Sequence, residues 1–303
     1  MRAVVLDEDR TLALRDVPEP RPSDDQALVT VRAAGVNYAD VLVREGRYPQ
    51  PPPLPYVPGS EIAGETEDGR RVLAFVRVEG GGFAERAAAD REWMFDLPDG
   101  ASYEEGAAFL LAFLTAWIPL TRQVPLRRGA RVLVTAAAGG VGSAGVRVAR
   151  ALGAEVVGAV GSDEKLSVVR ELGAQAVTYD AIEELEPFDV ILDQVGGDRF
   201  ADSVKRLRPL GAVVAVGFAG GAWQPVDPAL LVGRNVTACG FYLGRLMKFR
   251  PDVVQEAARE LLERWTAGDL APVVGATFPL EEADEALRSV AERRSTGKVV
   301  LVP

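Results

Sequence analysis

Histidine is absent from the 303-residue sequence, and cysteine occurs once, as Cys239. Catalytic and structural zinc sites of the usual kinds need several His or Cys ligands, so no metal site is predicted. The same absence excludes a Ser-His-Asp triad and an imidazole general base. A single cysteine excludes an intramolecular disulfide and is expected of a protein in the reducing cytoplasm. Reactivity is therefore expected to come from a bound cofactor.

Long apolar runs and basic clusters are also missing. No apolar run approaches the roughly 20 residues that span a bilayer, so no membrane segment is predicted. The first six residues predict a strand rather than a signal peptide. The net charge of −10 is not offset by any basic cluster, so nucleic acid is not an expected partner. We expect a cytoplasmic protein that acts on a small molecule.

One glycine-rich segment, residues 131–145, is the most informative part of the chain. An apolar, β-branched run leads into a glycine-rich turn, which opens a segment with helical spacing. Gly140, Gly142 and Gly145 fit G-x-G-x-x-G in the strand–turn–helix context that the dinucleotide fingerprint requires. Glycine permits the tight turn, the contact of pyrophosphate with main chain, and the close packing of helix on strand. The segment predicts a dinucleotide-binding turn.

The end of the next predicted strand discriminates between the two nicotinamide cofactors. NAD-binding sites normally carry Asp or Glu about 20 residues beyond the glycines, to hold the ribose 2′-hydroxyl. Here the hydroxyl of Ser162 and the ammonium of Lys165 suit a 2′-phosphate instead. Asp163 and Glu164 are interpreted as complementing the dipole of the following helix. NADPH is the predicted cofactor, and the alternative is that Lys165 is an ordinary solvated residue.

The hydrophobic pattern divides the chain into three blocks. Residues 1–112 contain short β-type runs broken by glycine and proline, which predict a mostly β domain. Residues 113–248 alternate strand and helix patterns, which predict an α/β fold with a doubly wound, six-stranded parallel sheet of Rossmann type. Residues 249–303 carry two helical patterns and a strand at 298–302, which we expect to return to the first domain. The six predicted strands of the sheet are 131–136, 154–160, 175–179, 188–193, 211–217 and 235–241, with helices at 141–152, 163–172 and 198–207.

Five short motifs give the chain a family resemblance. They are Ala34-Gly35-Val36-Asn37-Tyr38-Ala39-Asp40, Pro58-Gly59-Ser60-Glu61-Ile62-Ala63-Gly64, residues 136–143, Asp193-Gln194-Val195-Gly196-Gly197 and Gly297-Lys298-Val299-Val300-Leu301. With them the chain resembles, over nearly its whole length, a zinc-independent medium-chain dehydrogenase/reductase of the NADPH:quinone oxidoreductase group. The resemblance implies a GroES-like catalytic domain formed by 1–112 and 249–303, and a dinucleotide-binding domain at 113–248. Zinc-dependent relatives carry Cys and His where this chain has Asn37 and Ser60.

The resemblance and the predicted strand ends together imply a set of cofactor-binding residues. Four of them, Val195, Gly217, Phe218 and Phe241, belong to the set because they lie at predicted strand ends, where doubly wound sheets place their ligands. The family register moves the fingerprint to Ala137, Gly139 and Gly142, so the phosphate turn spans Gly139 to Gly142 under either alignment. Ordinary packing or surface positions are the alternative for Thr115, for Arg293 and for the aromatic residues of the set. The implied residues are Asn37, Thr115, Gly139, Gly140, Val141, Gly142, Ser162, Lys165, Tyr179, Val195, Gly217, Phe218, Phe241 and Arg293.

Two residues are candidates for catalytic contact with the substrate. The resemblance places Asn37 at the nicotinamide end of an interdomain cleft, where its amide would hydrogen-bond the cofactor or the substrate carbonyl. The alternative is an Asx turn that caps the following helix. Tyr48 lies in a loop that similar proteins place beside the substrate, where its hydroxyl would donate to a quinone oxygen. A packing role for this tyrosine is equally open.

The implied reaction is hydride transfer from NADPH to a quinone without a metal. A reductase of α,β-unsaturated aldehydes or ketones would use the same cofactor and is the nearer alternative. A non-catalytic NADPH-binding protein is the more distant one. The strand at 235–241 would form an open sheet edge, so a homodimer paired through that edge is expected.

Overall fold

A computed structural model describes residues 1–76, 81–223 and 225–303. These residues form two compact units, one of Met1–Leu110 with Ala271–Pro303 and the other of Leu111–Leu270. Within the described ranges, no helix combines the length and the apolar character required to cross a membrane.

Short strands and helices alternate along the described chain. The strands are β1 (Arg2–Leu6), β2 (Leu12–Asp16), β3 (Gln26–Val36), β4 (Glu61–Thr66), β5 (Arg71–Phe75), β6 (Arg86–Asp90), β7 (Met94–Asp96), β8 (Arg131–Val134), β9 (Glu155–Val160), β10 (Gln175–Thr178), β11 (Phe188–Asp193), β12 (Leu207–Ala215), β13 (Thr237–Gly240), β14 (Val274–Pro279) and β15 (Lys298–Val302). The α-helices are α1 (Tyr38–Arg44), α2 (Tyr103–Ala107), α3 (Leu110–Ile118), α4 (Gly140–Ala151), α5 (Leu166–Glu171), α6 (Asp198–Lys205), α7 (Pro228–Arg234), α8 (Leu243–Phe249), α9 (Pro251–Thr266) and α10 (Ala283–Ala291). Shorter 3-10 turns cover Arg91–Trp93, Asp163–Lys165, Tyr179–Glu184 and Leu280–Glu282, and a π turn covers Pro119–Gln123.

The first unit is built on a mostly antiparallel sheet. Its strands lie in the order β14-β15-β3-β4-β5-β7, with β6 also paired to β3, while β1 and β2 form a separate ladder. The last strand, β15, pairs antiparallel to β3, so the predicted return of 298–302 to the first part of the chain is confirmed. On its other side β15 pairs parallel to β14, a strand that the sequence analysis missed. Valine, alanine and leucine side chains from these strands form the core of the unit.

The second unit contains a six-stranded parallel sheet. The strand order is β10-β9-β8-β11-β12-β13, and every neighbouring pair is parallel. Numbered within the unit this is 3-2-1-4-5-6, the order of the doubly wound dinucleotide-binding fold. Central residues such as Val132, Leu133 and Val134 are fully buried, as expected of strands covered on both faces. The predicted Rossmann-type sheet is confirmed.

Some local features of the second unit differ from the prediction. β12 begins at Leu207 rather than at 211, and its pairing with β11 shifts register between Phe188 and Val190, which marks a β-bulge. The bulge holds Leu210 at a φ of 68° and leaves it 90% exposed. Helix α7 was not predicted, although Asp227 caps it by accepting a hydrogen bond from the N–H of Ala229.

The second unit extends to Leu270, whereas the sequence analysis placed the domain boundary at residue 248. Helix α9 accounts for this difference because it is tied to residues that precede the sheet. The indole of Trp117 donates to Glu260 at 2.7 Å, and Arg122 donates to the other oxygen of the same carboxylate at 2.8 Å. The guanidinium of Arg264 lies 5.0 Å from the centre of the Trp117 ring. These contacts hold α9 within the second unit.

Candidate cofactor and active site

The glycine-rich turn joins β8 to the start of α4. Gly139 occupies the N-cap position, and the N–H of Ser143 donates to Gly139 O at 2.8 Å. The preceding N–H groups, those of Gly140, Val141 and Gly142, have no acceptor within the helix because they belong to its first turn. Together with the positive end of the helix dipole, they form a set of donors suited to an anion.

The space around the glycines tests whether the turn fits a dinucleotide. A Cβ atom on Gly142 would lie 2.1 Å from Ala136 O, and one on Gly145 would lie 2.8 Å from Leu192 Cδ2. The backbone therefore requires glycine at position 142, whereas a side chain at position 145 would require Leu192 to move. A Cβ on Gly139 would meet Ala136 O at 3.4 Å, which is an ordinary contact, and the φ of Gly139 is −83°. Packing therefore does not require glycine at position 139. Close contact of a pyrophosphate with the main chain does require a residue without a Cβ, so the turn fits the predicted cofactor.

Tyr179 connects the glycine turn to the end of the neighbouring strand. Its hydroxyl accepts a hydrogen bond from the N–H of Ala136 at 2.8 Å. Its ring faces Gly161, where a Cβ would lie 4.0 Å from Tyr179 Cε2. The guanidinium of Arg199 is stacked on the ring, 4.5 Å from its centre. Tyr179 therefore has a structural role, and it brings to this corner a cation that the sequence analysis missed.

Ser162 and Lys165 lie at the same corner, after the carboxyl end of β9. Ser162 has extended backbone and occupies the N-cap position of the 3-10 turn that ends at Lys165. Burial lowers the pKa of the half-buried Lys165 ammonium, because removal from water disfavours the charged form. With Arg199, two cations therefore stand near the end of the strand where a 2′-phosphate is predicted.

The loop after β11 is anchored directly to the glycine turn. The buried carboxylate of Asp193 accepts from Thr135 Oγ1 at 2.8 Å and from the N–H of Gly196 at 3.0 Å. Burial raises the pKa of Asp193, and these hydrogen bonds oppose that rise. The N–H of Gly220 donates to Val195 O at 2.7 Å, which joins this loop to the one after β12. Val195 is thus held at the carboxyl edge of the sheet, beside the turn.

The loop after β12 contains the predicted residues Gly217 and Phe218. A Cβ on Gly217 would lie 3.2 Å from Gln194 O, so the two loops approach closely here. The Phe218 ring contacts the ring of Trp223, with 4.6 Å between their centres. Sequence reasoning missed Trp223, which belongs to no motif.

An apolar pocket of about 480 Å³ opens at the carboxyl ends of β12 and β13. We call it the aromatic pocket because aromatic side chains supply much of its wall. Phe241, a predicted cofactor residue, is buried there, whereas Trp223 is 57% exposed. Such a pocket suits a flat apolar ligand. Its wall includes Trp223, Phe241, Tyr242, Arg245, Leu246 and Phe249.

The first unit contains a buried polar group of different character, which we call the Lys298 cluster and which consists of Asn37, Asp40, Glu61 and Lys298. All four residues are less than 9% exposed. The Lys298 ammonium lies 2.5 Å from Glu61 Oε1 and also donates to Asn37 Oδ1. The Asn37 amide donates to Glu61 Oε1 at 3.0 Å and to Gly35 O at 3.3 Å. Both amide hydrogens of Asn37 are thus engaged within the first unit.

Burial dominates the electrostatics of this cluster. Asp40 accepts from the backbone N–H of Asn37 at 2.8 Å, yet burial raises the pKa of its carboxyl to about 7. The charge of Lys298 opposes that rise, and the charge of Glu61 adds to it. Burial also raises the pKa of the nearby Tyr56 hydroxyl, and the charges of Asp40 and Tyr48 raise it further. Tyr48 itself is half-buried.

The structure brings most predicted cofactor residues to one edge of the second unit. Thr115 lies in the same unit, buried in α3. Asn37, Tyr48 and Arg293 belong to the first unit, where Arg293 is exposed after α10 with a φ of 58°. Contact of these three with a cofactor or substrate stays a prediction. Among the described residues, no group of three or more Cys, Asp or Glu side chains is arranged to hold a metal ion.

Two family models match the chain. The alcohol dehydrogenase GroES-like domain matches residues 23–99, and the zinc-binding dehydrogenase model matches residues 140–263. A quinone oxidoreductase-like protein 2 homolog from Nematostella vectensis is 37% identical, covering 91% of this chain and 81% of the relative. The quinone oxidoreductase-like protein 2 of Rattus norvegicus is 34% identical, with 99% and 91% covered. The chain belongs to the quinone oxidoreductase family of medium-chain dehydrogenases/reductases.

A solved structure agrees with this membership. The quinone oxidoreductase of Thermus thermophilus, whose complex with NADPH has been crystallised, is 40% identical to this chain. All of both chains is covered, with a TM-score of 0.92. The predicted family and the predicted combination of a Rossmann-type sheet with a GroES-like domain are confirmed.

Proposed function

We propose that this chain is an NADPH-dependent quinone reductase that works without a metal. The observation that carries the proposal is the sharing of one sheet edge by two sites. The glycine turn follows β8, and the aromatic pocket lies after β12 and β13, all at carboxyl ends of the same parallel sheet. Ligands of doubly wound sheets bind at this edge. The crystallised NADPH complex of the Thermus thermophilus relative supports the same cofactor.

NADPH, when bound, supplies a hydride, and a quinone that takes up this hydride and one proton from water becomes a hydroquinone while NADP⁺ is left. The N–H groups of Gly140 to Gly142 would hold the pyrophosphate. Ser162, Lys165 and Arg199 would hold the 2′-phosphate, because charge-assisted hydrogen bonds to phosphate favour cations at this position. These contacts fix the orientation of the cofactor along the sheet edge.

Other residues of the second unit would position the nicotinamide and the acceptor and would keep water away from them. Val195 and Gly217, in the two loops joined by hydrogen bonds, would position the nicotinamide half of the cofactor through their main chain. The aromatic pocket would hold a flat acceptor and exclude water from it. The proton would come from water, so the reaction requires no titrating side chain.

Turnover with a panel of acceptors tests the proposal. Oxidation of NADPH is followed by the loss of its near-ultraviolet absorbance with 1,4-benzoquinone, 9,10-phenanthrenequinone and crotonaldehyde. We expect the quinones to be reduced with the higher kcat/KM. Higher kcat/KM for crotonaldehyde would favour an enal reductase. Binding of NADPH with no reduction of any acceptor would contradict the proposal and favour a binding protein.

We also propose that two copies associate through β13, which is the last strand in the order of the sheet. Two large apolar side chains flank the start of this edge. Leu210, whose N–H donates to Asn235 O at 2.7 Å, is 90% exposed, and Val232 of α7 is 77% exposed. An open edge beside exposed apolar side chains favours pairing with another chain. Light scattering should give twice the chain mass of 32.3 kDa, and Val232→Asp should shift it toward that of one chain. A wild-type protein with the mass of one chain would contradict this assembly.

A further inference from the structure

We propose that the aromatic pocket selects flat acceptors that carry an anionic group, and that Arg245 recognises this group. The inference rests on the proposed function, since it names the class of quinone that the pocket favours. Two features of the pocket support this inference. One is its exposed aromatic wall and the other is its positively charged rim.

The wall exposes aromatic surface that a planar ligand would cover. Trp223, Tyr242 and Phe249 are each more than half exposed. The Trp223 ring is held in place by Phe218, and the buried Phe241 closes the inner side of the pocket. Exposed aromatic side chains grouped around a pocket indicate a ligand with a flat apolar face.

The rim carries positive charge in a chain whose net charge is −10. The Arg245 guanidinium, which lines the pocket, lies 4.8 Å from the centre of the Phe249 ring, and Lys248 Nζ lies 5.6 Å from the same centre. Helix α8 contains no acidic residue. Among the described residues, no carboxylate lies within 4.0 Å of either cation, whereas the next arginine, Arg250, is paired with Asp252. Arg245 is thus a cation at the pocket wall without a counter-charge from the described part of the chain.

Recognition of the anionic group is assigned to Arg245 rather than to Lys248 because of the position of Arg245 over Phe249. The guanidinium of Arg245 lies over the Phe249 ring, and its planar fork of N–H donors matches carboxylate and sulfonate oxygens, whereas the Lys248 ammonium is a point charge. A ligand that covers the aromatic wall would also remove water from the pair, which strengthens a charge-assisted hydrogen bond. A neutral quinone would gain the stacking alone.

The test compares a charged with a neutral acceptor in matched variants. The ratio of kcat/KM for 1,2-naphthoquinone-4-sulfonate to that for 1,2-naphthoquinone is measured in the wild type and in Arg245→Gln. We expect the ratio to fall about ten-fold in Arg245→Gln through a higher KM for the sulfonate, and to fall less in Arg245→Lys. Arg264→Gln is the matched control, because Arg264 is stacked on Trp117 outside the pocket, and it should leave the ratio unchanged. An unchanged ratio in Arg245→Gln would overturn the inference.

A binding measurement separates this inference from the proposed function. Calorimetric titration of the protein with 2-naphthalenesulfonate and with the neutral 2-naphthalenesulfonamide requires no turnover. We expect the sulfonate to bind several-fold more tightly to the wild type and the two ligands to bind equally to Arg245→Gln. Absence of quinone turnover with the sulfonate preference intact would refute the reductase and leave the anion site standing. Equal binding of both ligands to the wild type would refute the anion site alone.

Discussion

The glycine turn of the second unit and the Lys298 cluster of the first unit differ in whether their polar groups have hydrogen-bond partners within the protein. At the turn, N–H groups of the first helical turn point away from any intrahelical acceptor, and nearby cations are exposed or half-buried. In the cluster, the ammonium of Lys298 has two oxygen acceptors, and the amide of Asn37 is fully engaged. The turn is therefore available to a ligand, whereas the cluster fixes its own side chains. The comparison predicts that mutations in the cluster act on stability and mutations at the turn act on binding.

The largest effect is expected for Lys298→Met. Removal of the ammonium leaves the buried Glu61 carboxylate without its cation, which costs about 3–5 kcal/mol of the free energy of unfolding. The double variant Lys298→Met with Glu61→Gln should recover most of this loss, since it leaves no unpaired charge at the pair. Urea unfolding followed by circular dichroism measures both variants. A single variant as stable as the wild type would show that the ion pair is not required.

Asp40→Asn tests the electrostatics of the same cluster. The pKa of Asp40 is raised to about 7 in the folded protein from an ordinary 3.8, so the unfolded chain releases this proton first as pH rises. As the pH rises from about 4 to about 7, Asp40 therefore lowers the free energy of unfolding. The loss is about 1.4 kcal/mol per pH unit and reaches about 4 kcal/mol. The asparagine variant should gain stability relative to the wild type over that range.

An exposed carboxylate provides the control for this pH dependence. The pKa of Asp252 is lowered by its hydrogen bond with Arg250, in the opposite direction to that of Asp40. Asp252→Asn should therefore show no gain in stability as pH rises. If the difference between wild type and Asp40→Asn does not change with pH, the raised pKa of Asp40 is wrong.

Gly139→Ala tests whether the turn is a binding element rather than a structural one. An added methyl group meets Ala136 O at an ordinary 3.4 Å, so the melting temperature should hardly change. The same methyl group would lie between the main chain and a pyrophosphate, and we expect NADPH to bind about 100-fold more weakly, or about 2.7 kcal/mol. Gly233→Ala is the control, because a methyl group there enters open space. Normal NADPH affinity in Gly139→Ala would place the pyrophosphate elsewhere.

The smallest effect is expected for Lys165→Gln. Loss of one charge-assisted hydrogen bond to the 2′-phosphate should weaken NADPH binding about ten-fold, or about 1.4 kcal/mol, and leave NADH binding unchanged. Lys205→Gln serves as the control, because Lys205 is exposed and paired with Asp202. Equal loss of both cofactors in Lys165→Gln would indicate a structural role for this lysine.

The second unit was the more predictable of the two because its signals are local. Most strands of the parallel sheet contain a short apolar run, and the glycine turn lies between a strand and a helix that adjoin it in sequence. The bulge at Leu210 escaped prediction, since polar residues, proline and glycine interrupt the apolar pattern there. Arg199 escaped because its significance arises only from its stacking on Tyr179.

The Lys298 cluster was not predictable as a cluster. Lys298 and Glu61 are 237 residues apart, and each was known only as part of a separate motif. Nothing in the neighbourhood of a lysine near the end of the chain indicates that it is 4% exposed. That burial follows from the position of β15 between β14 and β3, and β14 itself was missed. The hydrogen bonds of Asn37 to Glu61 and Lys298 therefore depend on tertiary packing and not on a local sequence pattern.

Equilibrium titration of the unmodified protein with NADPH and with NADH, followed by nicotinamide fluorescence, tests the central claim most directly. The claim is that the glycine turn and the cations after β9 form a site for a phosphorylated dinucleotide. We expect NADPH to bind at least about ten-fold more tightly than NADH, with the difference reduced by rising salt. Equal affinities, or tighter binding of NADH, would contradict it.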